Sequence, residues 1–336
     1  MSKLRVDIDL QKICAHAEDI WGWSNPNYIK EEKRRNGALV YLNDKGADLV
    51  LKLSKVFSIT SNKLNFYRPA IVQSIAATSD VALPLFHTLD GQSFVCEKSF
   101  VMSVSPRAVS INANTLRRLV SREEVFGTLM GLFHKSLEHL PREEMGGILH
   151  HPGYSLNERI FSDGDIRRLF DFIHPDAYEL YLESLCFIED FRVLKWHWIH
   201  GDFRPENLVL HHGRLLLIDF DNTSYFYRGY EIVRGFLSCS VGVKGDAHSR
   251  YLMFLRSYKK YCDLSNREKY IILYLYVWIS LSNVARVFSE GSEWSDYYFK
   301  LMIGRFKILV ELIRGENERA ISDSGNTIQE KKFRGV

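Results

Sequence analysis

The chain has 336 residues, of which 46% are hydrophobic, 13% aromatic and 25% charged, a composition that excludes a disordered or fibrous protein. Its 44 basic and 41 acidic side chains leave a formal net charge of +3, and no basic block is long enough to predict nucleic-acid binding. A chain of this length favours two lobes over a single core.

Cysteine usage and apolar runs indicate a reducing, aqueous compartment. The five cysteines are scattered and form no CxxC pair, which predicts neither a zinc site nor a disulfide framework. The N-terminal MSKLRVDIDLQK lacks the apolar segment of a signal peptide. The strongest apolar run, Tyr270 to Leu281, is shorter than a bilayer span. We therefore expect a cytoplasmic protein with no membrane partner.

The first third of the chain has the pattern of short strands. From about Asn36 to Val104, apolar runs are separated by the turn signals NDKG and LDGQ. A single helix is predicted between them, over roughly Ser61 to Ala77. Residues 1–102 are therefore predicted to form a small, β-rich N-terminal lobe.

Beyond Pro106 the periodicity becomes helical. Ser121 and Glu124 have capping-box spacing ahead of a helix to Leu140. Further helices are predicted over Pro175 to Arg192 and much of Gly235 to Arg314. Residues 103–316 are predicted to form a larger, mainly helical C-terminal lobe, and residues 317–336, poor in apolar side chains, a mobile tail.

A polar motif interrupts the helical lobe. The stretch HGDFRPENLVL, from His200 to Leu210, is followed by RLLLIDF, and the glycine of the intervening HHG predicts a β-hairpin turn. The hairpin would bring Asn207 and Asp219 together at its open end, with Asp202 on the loop before it. Carboxylate and amide oxygens suit magnesium, and Asp202 is placed to accept a proton from an attacking hydroxyl.

The motif H-G-D-x-x-x-x-N with a downstream I-D-F resembles the catalytic and metal-binding loops of the aminoglycoside phosphotransferase and choline kinase superfamily. The pattern is most similar to the branch of homoserine kinase type II and related small-molecule or antibiotic kinases. The resemblance implies an α+β, bilobal protein-kinase-like fold that uses ATP and Mg²⁺. By the same likeness Asp202 is the catalytic base, and Asn207 and Asp219 hold the metal.

The resemblance extends to the predicted nucleotide-binding residues. Lys52, in ADLVLKLS, stands where the family has the lysine that pairs with the α- and β-phosphates, and we expect its side chain to point inward. The segment TLDGQSFVCEKSFVMSVSPRA resembles the fifth strand and hinge, which assigns Met102, Ser103 and Val104 to cofactor binding.

Two further matches and one departure concern the helices. The stretch EVFGTLMGLFH ends at His134 in a pattern typical of this branch, which also has an acid near the position of Glu231. Arg68 occupies the helix position where the glutamate partner of Lys52 is expected.

Three residues near the motif have open roles. Arg204, also assigned to the catalytic group, would either reach the transferred phosphoryl group or pair with Glu206. Asp221 would either lie near the metal or order the loop by accepting backbone N–H bonds.

The sequence thus predicts an ATP- and Mg²⁺-dependent phosphotransferase that acts on a hydroxyl of a small molecule such as an amino alcohol, sugar or antibiotic. Alternatives are a Ser/Thr protein kinase of the same fold and a non-catalytic pseudokinase, the latter suggested only by Arg68. The mildly basic charge disfavours a polycationic acceptor. Tyr225 to Arg234 and Trp278 to Phe288 are predicted to line the acceptor pocket, while acceptor identity and oligomeric state stay open.

Overall fold

The chain folds into two compact units that interleave along the sequence. The computed structural model describes residues 10–23, 26–34, 37–55, 64–97, 100–111, 122–141, 164–289 and 296–324. The first unit comprises residues 1–111, 141–147 and 208–221, and the second comprises residues 112–140, 148–207 and 222–336. The predicted lobes instead divide the chain only once, after residue 102, and that boundary stays a prediction.

The first unit is built on a five-stranded antiparallel sheet. Its strands are β1 (Asn27–Arg34), β2 (Gly37–Asp44), β3 (Ala47–Lys55), β4 (Val95–Glu97) and β5 (Phe100–Pro106), in the spatial order β1-β2-β3-β5-β4. The predicted NDKG turn joins β2 to β3 through Lys45 (φ 50°) and Gly46 (φ 88°), a left-handed pair that matches the twist of a tight hairpin.

One face of this sheet carries the core of the first unit. Alternate residues of β2 and β3, such as Val40 and Leu51, are fully buried together with Met102 and Val104 of β5. Helix α1 (Leu10–Trp21), which the sequence pattern did not predict, adds Ala17 and Trp21 to that core. Helix α2 (Leu64–Thr78) is the predicted helix between the strands.

A smaller three-stranded sheet completes the first unit. It contains β6 (Val109–Ser110), β8 (Leu208–His211) and β9 (Arg214–Leu217) in the order β6-β8-β9. Strands β8 and β9 form the predicted hairpin, with a turn at His212 (φ 48°) and Gly213 (φ 76°).

The second unit is mainly helical within its described residues, which confirms the predicted α+β class. A two-stranded antiparallel ribbon of β7 (Trp196–Ile199) and β10 (Ser224–Tyr227) precedes helix α7. The helices are α3 (Arg122–Ser136), α4 (Gly164–Ile173), α5 (Ala177–Leu185), α6 (Ile188–Arg192), α7 (Arg228–Ser240), α8 (Ala247–Tyr258), α9 (Asn266–Ser289) and α10 (Asp296–Ser324).

Helix α9 contains the apolar run noted in the sequence and is longer than that run. By length and composition its residues Asn266–Phe288 would cross a membrane, but 72% of the most apolar window is buried inside the protein. Such burial is typical of the core helix of a soluble protein, and no membrane protein is indicated.

Helix α10 extends into the predicted tail. The helix continues to Ser324, so residues 317–324, the first part of that segment, are helical. The Tyr270 hydroxyl on α9 donates a 2.8 Å hydrogen bond to Asn317 Oδ1, which ties this part of α10 to the neighbouring helix. Residues 325–336 lie outside the described residues.

Candidate active site

The HGD motif lies on a sharp loop immediately after β7. Gly201 has φ +75°, and a Cβ at this position would lie 2.1 Å from the backbone oxygen of Asn222. Only glycine fits both the left-handed backbone and this close approach. The chain therefore turns tightly enough to present Asp202 directly after a buried strand.

Asp202 is fixed through both of its carboxylate oxygens. Arg234 Nη2 donates to Oδ1 at 2.9 Å, and Asn207 Nδ2 donates to Oδ2 at 3.0 Å. Arg204 Nε lies 3.0 Å from Oδ2, whereas it is 4.0 Å from Glu206. Asn207, Arg204 and Arg234 therefore surround the largely buried carboxylate of Asp202.

Asn207 ends a 3₁₀ turn that leads into β8. Its Nδ2 also donates to the backbone oxygen of Asp202 at 2.8 Å. Because the amide nitrogen makes both contacts, the amide oxygen Oδ1 faces the other way. The orientation leaves an oxygen, the atom that magnesium prefers, directed away from Asp202.

Glu231 holds the backbone of the same loop. Its Oε1 accepts a 2.7 Å hydrogen bond from the Gly201 N–H, and its Oε2 accepts a 3.0 Å bond from the His200 N–H. His134 Nε2 lies 3.0 Å from Oε2 as well. The family-typical His134 and Glu231, on helices α3 and α7, thus fix the loop that carries Asp202.

The protonation of this buried cluster follows from its surroundings. Burial lowers the pKa of His134 well below 6.5, and the charges of Arg228 and Lys195 lower it further. Burial raises the pKa of Glu231, against the opposing effects of His200 and the two backbone N–H groups. A neutral His134 donates from Nε2 to Glu231 and accepts at Nδ1, which lies 2.9 Å from the Tyr258 hydroxyl.

Lys52 has two carboxylate partners within the first unit. Its Nζ lies 2.6 Å from Asp221 Oδ1 and 3.4 Å from Asp219 Oδ1. Burial lowers the pKa of Lys52, but Asp221 and Asp219 outweigh that effect and the pKa is raised overall. Arg68 stands in α2, where burial lowers its pKa to about 10. An acid of α2 was the expected partner of Lys52, but in the structure its partners are two aspartates of the loop after β9.

Asp219 has an unusual backbone. Its φ is +64°, a left-handed conformation that is uncommon outside glycine and tends to occur at functional sites. The Asp219 and Asp221 side chains are 46% and 40% exposed. Accessible carboxylates of this kind fit a hard cation that completes its coordination with water and phosphate oxygens. Among the described residues, no group of three or more His, Cys, Asp or Glu side chains would hold a metal ion.

The remaining predicted nucleotide residues lie on β5, beside Lys52. Ser103 pairs directly with Lys52 across the β3–β5 ladder, while Met102 pairs with Leu53 and Val104 with Leu51. The Met102 and Val104 side chains point into the core of the first unit. Only their backbone groups and the Ser103 side chain are therefore suited to meet a ligand on the Lys52 face.

One functional contact was missed by sequence reasoning. Arg234 ends a segment predicted to line the acceptor pocket, but its ion pair with Asp202 was not predicted. Arg234 also donates from Nη1 to the Gly201 backbone oxygen. Arg234 and Asp202 are 32 positions apart, and no local spacing predicts a contact between a loop and a later helix.

Comparison with known proteins gives a family match and a set of structural neighbours. Residues 119–259 match the family described as the phosphotransferase enzyme family. No curated protein matches the chain.

The structural neighbours align along almost the whole chain. A complex of amicoumacin kinase with AMP-PNP, Ca²⁺ and Ami has a TM-score of 0.61 at 11% identity, covering 90% of this chain and 94% of its own. A spectinomycin phosphotransferase complex with ADP and spectinomycin has a TM-score of 0.57 at 12% identity, with coverages of 93% and 99%. A microcompartment-associated aminopropanol kinase has a TM-score of 0.56 at 14% identity, with coverages of 94% and 99%.

The fold and the matched domain together define the class. The chain has the protein-kinase-like fold of the aminoglycoside phosphotransferase and choline kinase superfamily, as the motif predicted. The match to the phosphotransferase enzyme family covers residues 119–259, and phosphotransfer is the activity that this match supports.

Proposed function

We propose that the protein is a cytoplasmic kinase that transfers the γ-phosphoryl group of ATP to a hydroxyl of a small molecule, such as an amino alcohol, a sugar or an antibiotic. The observation that carries this proposal is the fixed carboxylate of Asp202, held by Asn207 and Arg234 on a loop whose tight turn requires glycine at position 201. The nucleotide and small-molecule complexes among the structural neighbours support it.

In this reaction the acceptor hydroxyl oxygen forms a bond to the γ-phosphorus, and the bond from that phosphorus to the β–γ bridging oxygen breaks. ADP leaves with the electron pair of the broken bond. The hydroxyl proton passes to the Asp202 carboxylate, which is oriented for it before the acceptor binds.

The other proposed roles follow the chemistry of each side chain. Lys52 contacts the α- and β-phosphates, and the edge formed by Met102, Ser103 and Val104 binds the nucleotide. Asn207 and Asp219 would hold Mg²⁺, which neutralises charge on the phosphates when bound. Arg204 orients Asp202 and remains near the transferred group.

The test is an ATP-consumption screen of the purified protein against pooled amino alcohols, sugars and antibiotics. We expect Asp202→Asn to abolish transfer while retaining magnesium-dependent ATP binding, because the amide cannot accept the proton. Asp219→Ala should weaken that binding. Asp171→Asn, which removes an exposed aspartate on α4, is the matched control and should leave both properties unchanged.

The outcomes separate the predicted classes of protein. ATP binding without transfer to any pool, or to a serine or threonine of a protein substrate, would show a non-catalytic nucleotide-binding protein. Full transfer activity in Asp202→Asn would show that a different group accepts the proton.

A further inference from the structure

Arg305 on α10 is a buried guanidinium whose charge is matched by no acid of the described residues. Its residue surface is 8% exposed. Its Nη2 donates a 2.7 Å hydrogen bond to Ser238 Oγ, and its Nε is buried without a hydrogen-bond partner. Within the described parts of the chain, no ion pair is formed by this side chain.

Two other largely buried arginines of the second unit, Arg228 and Arg250, are paired with acids. Arg228 lies 3.0 Å from Glu268, and Arg250 lies 3.3 Å from Glu123. Burying a charge without a counter-charge is costly, whereas a paired and hydrogen-bonded charge is tolerated. Arg305 differs from these two arginines in having no acid partner among the described residues.

Neither the adjacent turns of α10 nor helix α7 supplies an acid to Arg305. One turn before and after it on α10, at positions three and four residues away, stand the apolar Leu301, Met302, Ile308 and Leu309. On α7, which carries Ser238, the one acid is Glu231, and it already accepts hydrogen bonds from the His200 and Gly201 backbone.

Arg305 lies close to the proposed catalytic base along α7. Ser238, its partner, donates a 2.6 Å hydrogen bond to the Arg234 backbone oxygen. Ser238 and Arg234 therefore share one face of α7, separated by one helical turn, a rise of roughly 6 Å. Arg234 holds Asp202. The proposed acceptor would extend from Asp202 along this face of α7 to meet Arg305.

We propose that the acceptor carries an anionic group, a carboxylate or a phosphate ester, and that Arg305 binds it. This inference rests on the proposed function and specifies the class of its substrate. A guanidinium donates two parallel N–H bonds, which two oxygens of a carboxylate or of a phosphate can accept. Together with Arg204 and Arg234, Arg305 also makes this region unfavourable for a polycationic acceptor.

The experiment compares acceptors that differ only in the anionic group. ATP consumption is measured with homoserine against its decarboxylated counterpart aminopropanol, and with glycerate against glycerol, with glycerol phosphate as the phosphate-ester arm. We expect activity with at least one anionic acceptor and at least 100-fold lower kcat/KM with its neutral or decarboxylated counterpart. The arm that reacts identifies carboxylate or phosphate as the recognised group.

Variants of Arg305 test whether this residue is responsible. For the anionic acceptor, Arg305→Gln should raise KM about 100-fold with kcat changed by less than about threefold, as expected when a buried charge loses its partner. Arg305→Lys should restore part of the affinity. Neither variant should change the weak activity with the counterpart that lacks the anion. Lys307→Gln removes an exposed cation from the same helix and should behave as wild type.

A stability measurement separates binding from a structural role without any acceptor. If Arg305 is an unmatched charge in the free protein, Arg305→Met should be at least as stable as wild type in urea. A marked loss of stability in Arg305→Met would overturn the inference, and so would equal losses of activity for anionic and neutral acceptors. Efficient transfer only to neutral acceptors would overturn it too, while leaving the proposed kinase function intact. Absence of both magnesium-ATP binding and ATP consumption would refute the proposed function itself, and this inference with it.

Discussion

Acidification should destabilise the protein through His197, a buried histidine of β7. His197 is 6% exposed, and its Nδ1 lies 2.9 Å from the Trp198 backbone oxygen. Burial lowers its pKa to about 3, and His134 adds to the effect. An unfolded histidine has a pKa of about 6.5, so the unfolded chain takes up a proton over a range where the folded protein does not.

The sign and size of the effect follow from linkage. A depressed folded pKa contributes stability that is present above about pH 6.5 and is lost as the pH falls toward about 3. Between pH 7.5 and pH 5.0, proton uptake by the unfolded chain at His197 lowers the free energy of unfolding by about 2 kcal/mol. His134 is also neutral when folded, but its contribution is common to wild type and to variants at position 197.

The assay is urea unfolding at the two pH values in wild type and His197→Asn. Asparagine places its amide nitrogen near the position of Nδ1 and does not titrate in this range. We expect wild type to lose about 2 kcal/mol more than the variant on acidification. His139→Asn, at an exposed turn position, should follow wild type. Equal losses in wild type and His197→Asn would refute the reasoning.

Three further substitutions test the catalytic loop. Gly201→Ala should destabilise the protein by at least 1–3 kcal/mol, because its Cβ would lie 2.1 Å from the Asn222 oxygen at φ +75°; urea unfolding measures this loss. Arg234→Lys should lower kcat about tenfold with little change in the KM for ATP, since a lysine ammonium lacks the rigid fork whose two nitrogens contact Asp202 and the Gly201 oxygen. Steady-state kinetics would detect the change. Glu231→Gln should cost about 1–3 kcal/mol in unfolding free energy, because an amide has a single oxygen to accept the bonds that two carboxylate oxygens now receive.

Each of these substitutions has a matched control. Gly213→Ala introduces the same left-handed strain (φ +76°) with no atom within 4 Å of the new Cβ, so it isolates the clash at Gly201. Arg256→Lys and Glu179→Gln change exposed side chains of the same types. A control that lost as much activity or stability as its partner would show that the loop contacts are not the cause.

The catalytic hairpin was predictable because its signals are local. Two alternating apolar runs and a glycine turn define β8 and β9 from sequence alone. By contrast, β1 has the sequence NYIKEEKR and lies before Asn36, where the predicted strand pattern begins. It is an edge strand that pairs with β2 alone, and edge strands tolerate charged side chains that obscure the strand pattern.

The site was predictable only as far as its motif. Spacing identifies Asp202, Asn207 and Asp219, but the partners that orient them come from distant elements. Arg234 reaches Asp202 from a helix, and Glu231 reaches two backbone N–H groups thirty or so residues earlier. Contacts of this kind depend on how helices pack against the loop, which no short-range pattern encodes.

The pairing of Lys52 bears on regulation. In protein kinases the corresponding lysine pairs with a glutamate of a helix, and moving that helix switches activity. Here the sequence from Val56 to Thr78 contains no acid at all, and Lys52 is held by Asp219 and Asp221 instead. Its orientation is therefore set by the same loop that would hold the metal. Displacing α2 would therefore break neither of the ion pairs that hold Lys52 in the structure.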